Sequence, residues 1–188
     1  MTITEYLAKK TSLSSEQIAE LGAKFSSKEA MPGDYVIKEG EVCRKLLFLR
    51  EGCMAMVYER DNKSFIKDFI FENSFASVYE SFITSKPARY ALKAITHCKF
   101  ESISLHDLEK TYQSIPQLKA LSASQTEAAY LNITRRMESL ITLSAEKRYL
   151  ELLERRPRLL SEIPLYLIAS YLGITDVALS RIRKKIGS

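Results

Sequence analysis

Four cations fall within five residues near the end of this 188-residue sequence: Arg181, Arg183, Lys184 and Lys185. At about 100° of turn per residue, a helix through them puts Leu179, Ile182 and Ile186 on one face and Val177, Arg181 and Lys184 nearly opposite. A guanidinium on such a face can make two parallel hydrogen bonds to a guanine edge, and a valine methyl can pack on the methyl of thymine. Arg181 and Val177 are therefore the candidate base readers. Thr175, Ala178 through its backbone, Ser180, Arg183 and Lys185 flank that face within reach of phosphates, helped by the positive end of the helix dipole. Asp176 favours the helix N-terminus as a cap-region residue, with a base contact left open.

The elements that must position these residues are legible in the punctuation of the chain. Pro164 opens one helix and Gly173 closes it, and Thr175 is placed to cap the next after a short turn. Two short helices joined by a glycine-containing turn have the geometry of a helix-turn-helix, with Ala169 small where the helices approach. An ordinary α-hairpin with a solvated basic edge fits the same pattern. Net charge is +5, and residues 144–188 hold nine Lys or Arg against five Asp or Glu, so the basic excess lies at this end. Such an excess attracts polyanions without specifying any.

Other chemistry-bearing residues are sparse. Cys43, Cys53 and Cys98 are widely spaced and form no Cys-x-x-Cys pair, so neither a disulfide frame nor a thiolate metal site is expected. His97 and His106 have no ligand-spaced partners, so no metal is expected. With no nucleophile-base set and no phosphate-binding loop, an enzyme is not expected either. No apolar run approaches the roughly 18 residues that span a bilayer, and the first residues lack a basic segment followed by an apolar stretch, which predicts a cytoplasmic chain with no membrane partner.

Upstream, Ser14 to Gln17 fits a capping box with Leu13 and Ile18 as its staple, predicting a helix to about Phe25. From Pro32 to about Leu105 the texture is β-prone, with runs at Tyr35–Ile37, Lys45–Phe48, Met54–Glu59, Phe65–Phe71, Tyr90–Ile95 and Lys99–Ser104. Turns at Pro32–Asp34, Glu39–Glu41, Arg50–Gly52 and Asp61–Lys63 separate them, which suggests a barrel or jelly roll. No glycine occurs between Gly52 and Gly173. A long helix is expected from about Pro116 to Leu143, with an apolar stripe of Tyr130, Ile133, Met137, Leu140 and Ile141, followed by one capped by Ser144 and stopped by Pro157. The stripe could pack inside its own chain or against a twin.

The stretch from Ile168 to Lys185 resembles the DNA-binding helix-turn-helix of Crp/Fnr-type transcription regulators. Pro32 to Gly40 and Leu46 to Gly52 resemble the opening strands of that family's cyclic-nucleotide-type β-roll. The resemblance implies an α+β chain: a β-roll (jelly roll) sensor over residues 1–115, a dimerisation helix over 116–143 and a winged-helix-like helix-turn-helix domain over 144–188. It implies a homodimer on double-stranded DNA at an inverted repeat, with RNA polymerase as a further partner. Where the family often has Arg-Glu early in the recognition helix this sequence has Asp176 and Val177, which implies a different preferred DNA sequence. A ligand-binding or protein-interaction module that no longer reads DNA is the alternative.

The nucleotide cassette of the resembled family departs further. Anchored on Pro87 and Ala91–Ala94, its glycine, glutamate and arginine positions become Val78, Tyr79 and Ala88. Glu80 and Arg89 each lie one residue away, where adjacent strand residues point to opposite faces. Cyclic AMP is therefore not expected. An effector pocket, if used, is assigned to Val78, Tyr79, Glu80, Phe82, Ala88 and Arg89, and apolar neighbours such as Ile83 suggest an apolar effector or a structural scaffold. With no cysteine in residues 1–42, an iron–sulfur cluster of the kind some family members carry is not expected, and no other cofactor is assigned.

Overall fold

The structure, a computed structural model, describes residues 1–61 and 63–187; Asn62, within the turn expected at Asp61–Lys63, lies outside them. The chain divides into two compact units. One comprises Met1–Tyr58 with Asp68–Ser124, and the other Glu59–Lys67 with Gln125–Ser188.

The first unit opens with helices α1 (Ile3–Lys10) and α2 (Ser15–Ala23), each started by a reciprocal capping box, Thr2 with Glu5 and Ser14 with Gln17. The strands follow as β1 (Ser26–Ala30), β2 (Tyr35–Ile37), β3 (Lys45–Glu51), β4 (Cys53–Arg60), β5 (Lys63–Phe71), β6 (Ser74–Ala76), β7 (Ala91–Ala94) and β8 (Cys98–Ser104). They form two four-stranded sheets, β1-β8-β3-β6 and β2-β7-β4-β5. In β3, Leu47, Phe48 and Leu49 are all buried, so both faces of that strand are covered. The N-terminal helix supplies one cover, with the Tyr6 ring 5.0 Å from Phe48 and 5.5 Å from Phe75. This explains a continuous apolar run where a half-exposed strand would alternate.

Gly52 joins β3 to β4 at φ 92°, and a Cβ there would collide with the His97 carbonyl oxygen. The register of the central strands therefore depends on glycine at this turn. Helix α3 (Tyr79–Thr84) interrupts the roll and α4 (Leu105–Ser114) follows β8, sending Leu108 and Thr111 into the interior.

Helix α5 (Gln117–Thr142) runs from the first unit into the second, where α6 (Ala145–Arg155), α7 (Pro157–Glu162), α8 (Leu165–Leu172) and α9 (Asp176–Ile186) follow. Ser144 accepts from the Lys147 N–H and caps α6, and Pro157 stands at the start of α7 where its missing N–H costs nothing. Tyr149, Leu152, Leu159, Ile163, Leu167, Ile168 and Leu179 bury their side chains among these helices. No strand follows β8 among the described residues; the strand component of the second unit is the end of β4 and the start of β5. Ser170 donates to the Ser64 carbonyl (2.7 Å) and accepts from the Ile66 N–H (3.0 Å). Arg136 donates to the carbonyls of Lys67 (3.0 Å) and Ile66 (3.1 Å) while its guanidinium lies 3.9 Å from the centre of the Tyr171 ring.

Among the described residues no single helix is long and apolar enough to cross a membrane. The sequence reading had no counterpart for α1, α3, α4, β1 or β6. Helix α7 also begins where a helix stop was expected, because proline ends one helix but suits the first turn of another.

Candidate nucleic-acid interface

The joint between α8 and α9 is built from three local devices. Gly173 adopts φ 69° and its N–H reaches the carbonyls of Ala169 and Ser170, while the Ile174 N–H donates to Ala169 at 3.0 Å. These bonds satisfy carbonyls that the end of α8 would otherwise orphan. Thr175 then accepts from the Ala178 N–H (3.2 Å) and starts α9. The axis turns through 96° between the two helices, within the range of a helix-turn-helix. Ile168 and Ala169 are fully buried at the crossing, Leu172 and Leu179 nearly so. Arg148 braces the joint from α6, donating to the carbonyls of Leu172 (3.0 Å) and Leu143 (2.7 Å).

Along α9 the packing and outward faces separate cleanly. Leu179 is buried and Ile182 and Ile186 half-buried, while Val177 is 61% exposed and Asp176, Ser180, Arg181 and Lys184 also face solvent. No ion pair involves Arg181 or Lys184 among the described residues. Lys185, by contrast, donates to the Glu146 carboxylate at 2.7 Å, a partner that sequence spacing alone gave no means of finding. Ala178 is half-buried. Arg183 is half-buried too, and its Nε has no hydrogen-bond partner. It lines a shallow cleft of about 280 Å³ with Leu165, Asp176, Leu179, Ser180 and Lys184. Leu165 went unnoticed in the sequence because an apolar residue after Pro164 reads as core, yet it is 42% exposed.

The residues assigned to an effector pocket divide by burial. Val78, Phe82 and Ala88 are buried in the core of the roll, whereas Tyr79, Glu80 and Arg89 face solvent. Glu80 and Arg89 pair with each other at 3.9 Å. Ser81, which sequence reasoning passed over, ties the segment together: it accepts from the Cys43 N–H (2.9 Å) and donates to the Lys86 carbonyl. Tyr90 packs its ring 5.4 Å from Tyr58. Burial, reinforced by Tyr58, pushes its phenol up to about 12. Cys43, Cys53 and Cys98 are all buried, and His97 pairs with Glu29 at 2.9 Å. No group of three potential metal ligands occurs among the described residues.

Residues 27–114 match the family model for the cyclic nucleotide-binding domain. Among solved structures, the chain is similar to the c-di-GMP-responsive global regulator CLP of Xanthomonas campestris, at 19% identity and TM-score 0.75 over 93% of this chain and 92% of that one. It is similar to FixK2 of Bradyrhizobium japonicum at 18% identity and TM-score 0.75, covering 87% of this chain and 84% of that one. A transcriptional regulator of the Crp/Fnr family from Eubacterium rectale gives 13% identity and TM-score 0.74 over 97% and 88%. No curated protein matches the sequence. These likenesses extend over most of the chain, which shares the fold of these structures.

The long helix α5 is largely uncovered. Only Leu118 of α5 is buried, and Tyr130, Ile133, Met137, Leu140 and Ile141 are 39–75% exposed, as is Leu131. Leu140 also approaches the α8–α9 joint, its Cδ2 lying 3.4 Å from where a Cβ at position 173 would stand. The rest of the stripe has no apolar cover of its own, which is the arrangement of a helix that buries this face against something else.

Proposed function

We propose that the chain is a transcription regulator that binds double-stranded DNA through α9, as a homodimer, without control by cyclic AMP. The observation that carries this reading is the outward face of α9, where Val177, Arg181 and Lys184 stand exposed on a helix whose other face is packed by Leu179. Arg181 and Val177 read bases; Thr175, Ser180, Arg183 and Lys184 hold phosphates, with the Ala178 N–H near the helix start. Lys185 must first leave Glu146 to join them. The exposed stripe on α5 supports pairing with a second copy, and two-fold symmetry then sets the recognition helices about 34 Å apart, one DNA turn between half-sites. Regulation from such an operator acts by recruiting or excluding RNA polymerase, and the protein works in the cytoplasm without catalysing a reaction.

The effector reading follows from the roll. Tyr79 and the buried Ala88 stand where the resembled family uses glutamate and arginine, the buried Val78 where it uses glycine, and the exposed Glu80 and Arg89 pair with each other. Thermal titration with cyclic AMP and cyclic GMP should leave the unfolding temperature unchanged, since only a ligand that prefers the folded state raises it. Saturable stabilisation would overturn this part.

The decisive experiment is selection of bound sequences from a random DNA pool. An enriched inverted repeat is expected, on which Arg181→Ala costs about 1–3 kcal/mol at one base position per half-site. Lys184→Ala should instead weaken all sequences alike and lower the salt dependence by about one phosphate contact. Asp176, exposed at the start of α9, and the Lys185–Glu146 pair favour the other reading, an interaction module that no longer reads sequence. A flat selection, blind to sequence, would establish that one.

A further inference from the structure

A second cleft opens in the β-roll, away from every position of the nucleotide cassette. It lies where β1, the edge of one sheet, passes through the turn at Met31–Asp34 into β2, the edge of the other. Its volume is about 420 Å³, and Ala30, Tyr35, Val36, Lys38, Lys45 and Phe100 line it with Glu29, Gly33 and Asp34. That size lies within the roughly 300–1,000 Å³ of small-molecule sites, which combine an apolar lining with a few placed polar groups. Val78, Tyr79 and Ala88 do not line it.

The charges around this cleft are unevenly matched. Lys45 is half-buried, and no hydrogen bond or ion pair engages its ammonium among the described residues. Burial, with Lys28 nearby as a second cation, holds its pKa below the ordinary lysine value. Among the nearby carboxylates, Glu29 pairs with His97 (2.9 Å) and Asp34 accepts from the Met31 N–H (2.8 Å), while Glu41, which accepts from the Lys38 N–H (3.3 Å), attracts Lys45 through space without pairing with it. Partly burying an ammonium without a partner costs free energy that a bound anion would recover. The apolar side is set as firmly. Phe100 is buried beneath the cleft, and the Tyr35 ring is held by Lys93, whose Nζ lies 3.2 Å from the hydroxyl and 4.7 Å from the ring centre.

We propose that this cleft binds a small organic anion, its carboxylate or phosphate held by Lys45 and Lys38 and its flat apolar body laid against Phe100, Val36 and Tyr35. Such a molecule is an effector for the roll that needs none of the nucleotide cassette. The site stands on the first unit alone, so it survives or fails independently of DNA reading by α9.

Calorimetric titration of the full chain, without DNA, tests it with phenyl phosphate, benzoate, inorganic phosphate and benzamide. Saturable binding of phenyl phosphate and benzoate is expected, with inorganic phosphate weaker for want of an apolar body and benzamide inert for want of charge. Lys45→Gln should lower the affinity roughly 10- to 100-fold, the range for a lost hydrogen bond to a charged group, while Lys110→Gln, an exposed lysine on α4, should leave it unchanged. Equal binding by Lys45→Gln and the natural chain, equal binding of benzamide and benzoate, or no saturable heat from either aromatic anion would overturn the proposal. Should Lys45→Gln not fold, ring-proton NMR of the unaltered chain decides: phenyl phosphate must shift Tyr35 and Phe100, and shifts confined to α9 would overturn the assignment.

Discussion

Helices α3 and α9 are both short and each buries one face, yet they treat charge in opposite ways. In α3 the acid Glu80 is answered by Arg89, and the flanking Val78 and Ala88 sink into the core. In α9 the packing residue Leu179 is buried while Arg181 and Lys184 remain exposed and without ion pairs. Their starts differ too. Thr175 caps α9 with its hydroxyl, whereas Val78 offers α3 no side-chain cap. The charge on α3 is paired locally, whereas the cations Arg181 and Lys184 of α9 stay exposed with no ion pair among the described residues.

That contrast is broken most sharply through the packing of the second unit. Ile168 is fully buried at the crossing of α8 and α9, so Ile168→Ala should destabilise the chain by about 2–5 kcal/mol, measured by urea unfolding. Tyr79→Ala on the outside of α3 should stay within about 0.5 kcal/mol of the natural chain. Comparable losses at the two positions would mean that α3 is buried in use and that the contrast is misdrawn.

The next effect tests how the second unit is braced. Arg136→Ala removes two hydrogen bonds to the carbonyls of Lys67 and Ile66 together with the stacking on Tyr171. A loss of about 1–3 kcal/mol is expected. Ser170→Ala acts on the same strand segment, so the double variant should lose less than the sum of the two single ones. Strict additivity would show two independent contacts.

These contacts mark the boundary of what could be read from the sequence. The α8–α9 joint was legible because it is written in local chemistry: proline before one helix, glycine at positive φ after it and threonine at the next cap. The faces of α9 were legible for the same reason, since 3.6-residue periodicity needs no partner. The bracing by Arg136 was not, because Ser64 and Ile66 lie far in sequence from Arg136 and Ser170 and their bonds involve backbone groups without side-chain signatures. Nor was α3, six residues long with no side-chain cap, or α1, whose apolar face exists to cover Phe48. The cleft at Lys45 escaped for another reason: a lysine with no hydrogen-bonded carboxylate is recognised only once its folded neighbours are in place.

A smaller effect separates the two helix starts. Thr175→Ala removes the hydroxyl that accepts from the Ala178 N–H and should cost about 1 kcal/mol. Val78→Thr would offer α3 the cap it lacks, but it buries a hydroxyl at a site that is 1% exposed. Since burying an unpaired polar group costs more than a cap returns, it should destabilise rather than help. Stabilisation by Val78→Thr would show that the start of α3 is more open than its burial implies.

The smallest difference at neutral pH concerns Tyr90, whose phenol interacts with the Tyr79 backbone at the start of α3 and is pushed up to about 12, chiefly by burial. Because the folded-state value lies above the unfolded value near 10, folding favours the protonated phenol. Its contribution is fully present below about pH 10 and is lost as the pH rises through about 12. Tyr90→Phe should therefore change stability by a constant amount from pH 6 to about 9, from loss of the hydroxyl contact alone, and flatten the decline between about pH 10 and 12. Urea midpoints of the two proteins across that range measure this directly. Parallel declines would place the alkaline sensitivity of the roll on other groups, and would mean that the start of α3 leans on Tyr90 for packing and not for its buried hydroxyl.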